Sequence, residues 1–157
     1  MAQMAETLDV FKKNYLVVGL SDEAIQEIAA LAETKTLYPN EMLIKMNEKS
    51  SDLYVILDGR VKVITSTGDY LADVGPGSVL GEVSLIDDQP RSADAICVGT
   101  VTVAKIPAKQ LRSLMNSKRE MGFVVLANLA RVLCGRLRTA SNRIENLVSQ
   151  DTWRGSL

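Results

Sequence analysis

The side chains best suited to binding chemistry lie in one short stretch, residues 77–93. Its middle part, Gly81–Leu85, follows a predicted strand and has the composition of a first helical turn. The N-terminus of a helix presents free backbone N–H groups and the positive end of a dipole, so it favours an anion. Because Gly81 has no Cβ, a ligand can approach the backbone closely there.

Two ionisable side chains complete this candidate anion site. Arg91 lies beyond a loop stiffened by Pro90, where it can fold back over the turn, and its planar guanidinium suits phosphate oxygens. Glu82 would repel an anion, but its carboxylate can accept a hydrogen bond from a hydroxyl group. The combination predicts a ligand that carries both a phosphate and a sugar hydroxyl. The structural alternative is a Glu82–Arg91 salt bridge that braces the loop.

Composition excludes several other kinds of chemistry. The 157 residues include no His, which removes His-based acid–base catalysis, most zinc sites and His-ligated haem. Cys97 and Cys134 are too few and too far apart for an iron–sulfur cluster, and we interpret both as small buried apolar residues. We therefore predict a protein without a catalytic residue, a metal site or a cofactor.

Charge and hydropathy limit the partners and the location that we expect for this protein. The 18 basic and 19 acidic residues nearly balance, which argues against direct nucleic-acid binding through bulk positive charge. No signal-peptide pattern and no long apolar run occur, so we expect a cytoplasmic protein that does not contact a membrane. Residues 118–147 are nonetheless basic, which predicts either a solvated helix face or a helix that docks on an acidic surface, whether of a partner or of the protein itself.

The elements around the candidate site follow from periodicity and turn residues. Helical spacing predicts helices within about residues 7–33, the first ending at Gly19 and the second beginning after an N-cap at Ser21. Short strands separated by turns occupy about residues 35–106, and Asp58-Gly59 predicts a tight hairpin between two of them. Helices return over about residues 108–149.

These elements predict one domain over residues 1–157. Its class is α+β, mainly β: an eight-stranded antiparallel β-roll, or double-sheet jelly roll, with N-terminal helices, a short helix at the candidate site and a long C-terminal helix.

The candidate site resembles the phosphate-binding cassette of cyclic nucleotide-binding domains. The resemblance rests on Gly-Glu-x-Ser-Leu at 81–85, five further residues and Arg-Ser-Ala at 91–93, and the wider order of elements agrees over about residues 8–148. It implies that Glu82 accepts the ribose 2′-OH and that Arg91 pairs with the cyclic phosphate. The resemblance also implies an apolar wall that contacts the base of the ligand, and the alternative is that these wall residues belong to the ordinary core of the barrel. The implied ligand-binding residues are Gly81, Glu82, Val83, Ser84, Leu85, Arg91, Ser92 and Ala93 in the cassette, Val63, Leu71 and Val74 in the base wall, and Ser141 on the last helix.

The long C-terminal helix carries a heptad pattern of apolar residues. A strict a/d repeat predicts a parallel homodimeric coiled coil, and packing against the chain's own β-roll is the alternative. The segment 136–147 also resembles the dimerisation helix of the catabolite-activator (Crp/Fnr-like) regulators, in which a Thr-Ser pair touches the base. This chain has Ala140-Ser141, so only the second residue matches. The heptad residues are Leu126, Ala130, Leu133, Leu137, Ala140, Ile144 and Leu147.

The resemblance implies a receptor or regulatory domain for a cyclic nucleotide. We expect cAMP as the ligand, with cGMP as the alternative, and cyclic di-GMP fits a cassette for a single phosphate less well. Ligand binding would reposition the C-terminal helix and signal to a downstream protein that the sequence does not name. Two other interpretations stay open: an interaction module whose pocket stays empty, and the sensor half of a Crp/Fnr-type regulator whose helix-turn-helix domain is absent from this chain.

Overall fold

Short strands form two facing sheets, and helices cover the outer side of one of them. A computed structural model describes residues 2–65, 68 and 70–155, and the side chains of residues 6–65, 68 and 72–149. The α-helices are α1 (Ala2–Phe11), α2 (Asp22–Ala29), α3 (Ala108–Ser117) and α4 (Arg119–Gly155). Two short 3-10 helices are the N-terminal turn (Tyr15–Val17) and the cassette helix (Glu82–Leu85). The strands are β1 (Glu33–Leu37), β2 (Met42–Ile44), β3 (Asp52–Asp58), β4 (Val61–Thr65), β5 (Tyr70–Val74), β6 (Val79–Leu80), β7 (Ala93–Cys97) and β8 (Val101–Pro107).

The strand order confirms the predicted double-sheet jelly roll. Each sheet has four antiparallel strands, in the orders β1-β8-β3-β6 and β2-β7-β4-β5. The hairpin predicted at Asp58-Gly59 is wrong, because β3 and β4 lie in different sheets. The β3–β4 connection instead runs from one sheet to the other, close to the β7–β8 connection, which also changes sheet. Gly59 (φ +93°) allows this close approach, because a Cβ there would lie 2.5 Å from the carbonyl oxygen of Thr100. The Asp-Gly pair therefore marks a change of sheet.

Strand β3 is buried on both faces and joins two hydrophobic cores. Leu53, Val55 and Leu57 point towards the helices, whereas Tyr54 and Ile56 point towards the other sheet, as the two-residue period of a strand requires. The helix-side core contains Phe11, Leu16, Ile25, Ile28, Leu85, Ile106, Leu111, Met121, Val125 and Leu129 as well. The core between the sheets also contains Leu37, Leu43, Val61, Ala95, Cys97, Val101 and Val103.

The N-terminal helical region is divided differently from the sequence prediction. Helix α1 ends at Phe11 rather than at Gly19, because the buried Asn14 begins a separate 3-10 turn. The side-chain oxygen of Asn14 accepts a hydrogen bond from the N–H of Leu16 at 2.8 Å, which is a capping interaction. Helix α2 begins after the predicted N-cap Ser21.

Helix α4 packs on the fold with its first half only. Val125 and Leu129 are buried, whereas all side chains from Cys134 to Ser149 are exposed. Cys97 is buried as expected, but the same interpretation of Cys134 is wrong, because α4 has passed the edge of the helix-side core at that point. Among the described residues, no helix combines the length and the apolar character needed to cross a bilayer.

Candidate functional site

Arg91 is held with its side chain pointing into the protein. Its backbone N–H donates to the carbonyl oxygen of Glu48 at 3.0 Å, and its own carbonyl oxygen accepts from the N–H of Asn47 at 2.9 Å. The segment after β2 thus fixes the Arg91 backbone on both sides, and the residue is only 7% exposed.

The guanidinium of Arg91 reaches the cassette helix and the start of β3. Nη1 donates to Ser84 Oγ at 3.0 Å and to the carbonyl oxygen of Gly81 at 3.4 Å. Nη2 donates to the carbonyl oxygen of Asp52 at 2.5 Å and to Ser50 Oγ at 3.4 Å. The buried Nε atom has no hydrogen-bond partner within the described part of the chain.

The partners of Arg91 leave its positive charge without a matching anion. All four acceptors are neutral oxygen atoms, and no carboxylate of the described residues lies within ion-pair distance of the guanidinium. Burial lowers the pKa of Arg91, and the more distant Tyr54, Asp52, Glu48 and Glu82 oppose that shift. A buried cation is stabilised most by an anion that also accepts hydrogen bonds, so this arrangement favours an anionic ligand.

Gly81 is the position that allows Arg91 to lie so close to the cassette helix. It caps the helix in the left-handed conformation, with φ +78° and ψ +12°. A Cβ at this position would lie 2.5 Å from Arg91 Nη1 and 2.8 Å from the carbonyl oxygen of Asp52. A larger residue would therefore displace the guanidinium or the β3 backbone.

Glu82 is buried, and its partner comes from α4. The residue is 4% exposed, and its Oε1 lies 3.0 Å from Nη2 of Arg136. The loop-bracing salt bridge between Glu82 and Arg91 is therefore not formed. Arg136 is not among the predicted site residues, and the basic character of residues 118–147 indicated only a helix that could dock on an acidic surface of the same protein.

Tyr15 is a second residue of this region that the sequence did not predict. Its hydroxyl group is buried beside Glu82 and Arg136. Burial raises the pKa of Tyr15 far above its usual value. The Glu82 carboxylate raises it further, through its charge and as a hydrogen-bond partner, and Arg136 partly opposes these effects. Tyr15 precedes the cassette by more than 60 residues of sequence, and no local motif links the two.

The other predicted cassette residues differ in exposure. Ser84 and Leu85 are buried, and the N–H of Ser84 already donates to the carbonyl oxygen of Gly81 at 3.2 Å. Val83 and Ser92 are exposed, and Ala93, which begins β7, is half-buried. The structure thus brings Gly81, Glu82, Ser84 and Arg91 together.

The predicted base-wall residues lie on the neighbouring strands β4 and β5, and Ser141 lies on α4. Val63 on β4 and Val74 on β5 are half-buried, and Val74 packs against the core between the sheets. The side chain of Leu71 lies outside the described residues. Ser141 is exposed on α4, beyond Arg136, and makes no hydrogen bond to the cassette within the described part of the chain.

Helix α3 supports the cassette from the other side. Nη1 of Arg112 donates to the carbonyl oxygen of Ser84 at 3.2 Å and lies 3.5 Å from a carboxylate oxygen of Asp88. The cassette helix therefore contacts α4 through Glu82 and α3 through Ser84.

The sequence profile described as "Cyclic nucleotide-binding domain" matches residues 34–118, which is more than half of the chain. Together with the jelly roll and the cassette geometry, this match shows that the chain belongs to the cyclic nucleotide-binding domain family.

Individual relatives agree with this assignment. The chain is 30% identical to the N-terminal domain of a transcriptional regulator from Streptomyces coelicolor A3(2), with a TM-score of 0.71 and coverage of 85% of this chain and 93% of that one. It is 28% identical over 138 residues to a CRP-like cAMP-activated global transcriptional regulator of Mycobacterium tuberculosis, covering 82% of this chain and 60% of the regulator. It is also 28% identical over 148 residues to the potassium channel AKT2 of Oryza sativa subsp. japonica, covering 92% of this chain but only 17% of the channel. The chain thus spans less than two thirds of these two longer proteins.

Proposed function

We propose that this chain is a non-catalytic receptor that binds cAMP in preference to cGMP at the cassette, residues 81–93. The observation that carries the proposal is the buried guanidinium of Arg91, whose hydrogen bonds all go to neutral oxygen atoms. The single negative charge of a cyclic phosphodiester would balance it. Ser84 accepts from Arg91 through its oxygen, so its own O–H is free to donate to a phosphate oxygen.

The sugar of the ligand would bind at Glu82. A carboxylate has room for about four hydrogen bonds, so Glu82 can accept from a ribose 2′-OH as well as from Arg136. A buried carboxylate beside a buried guanidinium suits a ligand that has both a hydroxyl group and a phosphate.

The preference for cAMP rests on likeness to relatives. The M. tuberculosis regulator is described as cAMP-activated, and the Arg-Ser-Ala sequence of this cassette resembles that of bacterial cAMP receptors. Val63, Leu71 and Val74 would form the apolar wall for the base. Ser141 would reach the base of the ligand in the partner subunit of a dimer.

Ligand binding would act on α4 through the Glu82–Arg136 pair. A ribose hydroxyl at Glu82 would change the surroundings of the carboxylate that holds Arg136, and would thereby shift the equilibrium between positions of α4. The exposed half of α4 carries Leu137, which is 67% exposed, together with Ile144 and Leu147. This apolar stripe supports a parallel homodimer, which would pass the signal to a downstream protein.

A titration with three ligands tests the proposal. We expect cAMP to bind more tightly than cGMP and cyclic di-GMP in calorimetry, and to stabilise the fold by about 2.7 kcal/mol at about 100 times its Kd. Arg91→Ala should weaken cAMP binding at least about 30-fold, since it leaves a buried phosphate charge unpaired. The exposed Arg60 offers a matched control, because Arg60→Ala removes the same charge from the surface.

Two results would contradict the proposal. If none of the three nucleotides binds, the chain is an interaction module with an empty pocket. If Arg91→Ala binds cAMP as tightly as the wild type, the anion site lies elsewhere.

A further inference from the structure

The backbone that follows Tyr15 is held in place by hydrogen bonds to two asparagine side chains. The side chain of Asn14 caps the turn by accepting from the N–H of Leu16. From α4, Nδ2 of the buried Asn128 donates to the carbonyl oxygens of Leu16 at 2.9 Å and Val18 at 2.8 Å. The N-terminal turn is therefore tied to the same helix that carries Arg136.

The hydroxyl group of Tyr15 is buried at this position next to the Glu82 side chain. Glu82 lies close enough to act as a hydrogen-bond partner that helps to raise the pKa of the phenol, but within the described residues no atom reaches the full geometry of a hydrogen bond with the hydroxyl group. A buried hydroxyl group with an incomplete hydrogen bond is unfavourable unless the bond is completed in another state of the protein. Because burial and Glu82 both keep the phenol protonated, the group is available as a hydrogen-bond donor.

We propose that Tyr15 is a positioning residue for Glu82, whose hydroxyl group donates to the carboxylate when a ligand occupies the cassette. It orients one carboxylate oxygen towards the ligand's sugar hydroxyl, while Arg136 holds the other. This role rests on the proposed function, in which Glu82 binds the ribose of a cyclic nucleotide. It extends the site to the N-terminal turn, far from the cassette in sequence.

The test compares cAMP with 2′-deoxy-cAMP, which differs only in the hydroxyl group that Glu82 would bind. Calorimetry gives the Kd of each ligand for the wild type, Tyr15→Phe and the control Tyr38→Phe, whose ring is 60% exposed. We expect the wild type to prefer cAMP. In Tyr15→Phe that preference should fall about 5- to 10-fold, which corresponds to one hydrogen bond. Tyr38→Phe should keep the wild-type preference.

A double-mutant comparison separates positioning from a general effect on folding. If Tyr15 acts through Glu82, Tyr15→Phe should no longer change the preference in a Glu82→Gln background. Equal weakening of both ligands by Tyr15→Phe would mean that Tyr15 only supports the fold, and no change for either ligand would also overturn the inference. A wild type that binds both ligands equally would remove the sugar contact. A wild type that binds neither would instead overturn the proposed function itself.

Discussion

Replacing Gly81 by Ala should damage both the stability of the fold and the candidate anion site. A Cβ at this residue would lie 2.5 Å from Arg91 Nη1 and 2.8 Å from the carbonyl oxygen of Asp52. The backbone strain of a non-glycine residue at φ +78° costs about 1–2 kcal/mol. Displacing the guanidinium weakens at least one charged hydrogen bond, which adds about 1.5–3 kcal/mol.

The expected total is a loss of about 2.5–5 kcal/mol in the free energy of unfolding. For a domain of this size, each kcal/mol lowers Tm by about 2–4 °C, so thermal denaturation followed by circular dichroism should show a fall of about 5–20 °C. In calorimetry, cAMP affinity should fall about 30-fold, which corresponds to about 2 kcal/mol.

Gly68→Ala is the matched control for this substitution. Gly68 has almost the same backbone angle, φ +80°, but no atom of the described residues lies within 4 Å of the position of its Cβ. The control should therefore lose only the strain of about 1–2 kcal/mol and should keep its affinity for cAMP. If the two variants lose equal stability and Gly81→Ala binds cAMP like the wild type, the close approach of Arg91 to Gly81 does not matter.

Two further predictions concern α4 and Tyr15. Leu137→Lys should give monomers in light scattering, because it places a charge in the exposed apolar stripe; an unchanged mass would refute the heptad argument. Above about pH 10 the unfolded chain loses the phenol proton of Tyr15, whereas the folded chain keeps it. The free energy of unfolding should therefore fall as pH rises, and Tyr15 alone contributes up to about 1.4 kcal/mol per pH unit to that fall. Urea unfolding between about pH 9 and about pH 11 should show a shallower fall in Tyr15→Phe, and an identical fall would contradict this reasoning.

The sequence predicted those parts of the structure that depend on neighbouring residues. The alternation in β3, the cap at Ser21 and the spacing within the cassette are local patterns, and the structure confirms the fold that they indicate. The order of elements also led to the correct fold family.

The errors concern contacts between distant residues. Asp58-Gly59 has the composition of a hairpin, but a change of sheet at Gly59 depends on the β7–β8 crossing, which local sequence does not encode. The exposure of Cys134 depends on where the helix-side core ends. The Arg136–Glu82 pair joins residues 54 positions apart, so composition indicates only a basic helix that can meet an acidic surface.

The domain limits, the cytoplasmic location, the homodimer and the roles of the ligand-binding residues stay predictions. Each depends on a ligand, on a second chain or on the cell, and none of these follows from the contacts within one chain.

Strand β3, covered on both faces, holds one of the two charged groups of the site, and the helical segments hold the other. Arg91 is anchored to the start of this strand at Asp52, whereas the groups around Glu82 belong to α4 and to the N-terminal turn. Under the proposed function, substitutions in those helical segments would alter the response of α4 to the ligand without removing the Arg91 charge that would bind it. A receptor of that kind could acquire new outputs during evolution while its means of recognising the ligand is preserved.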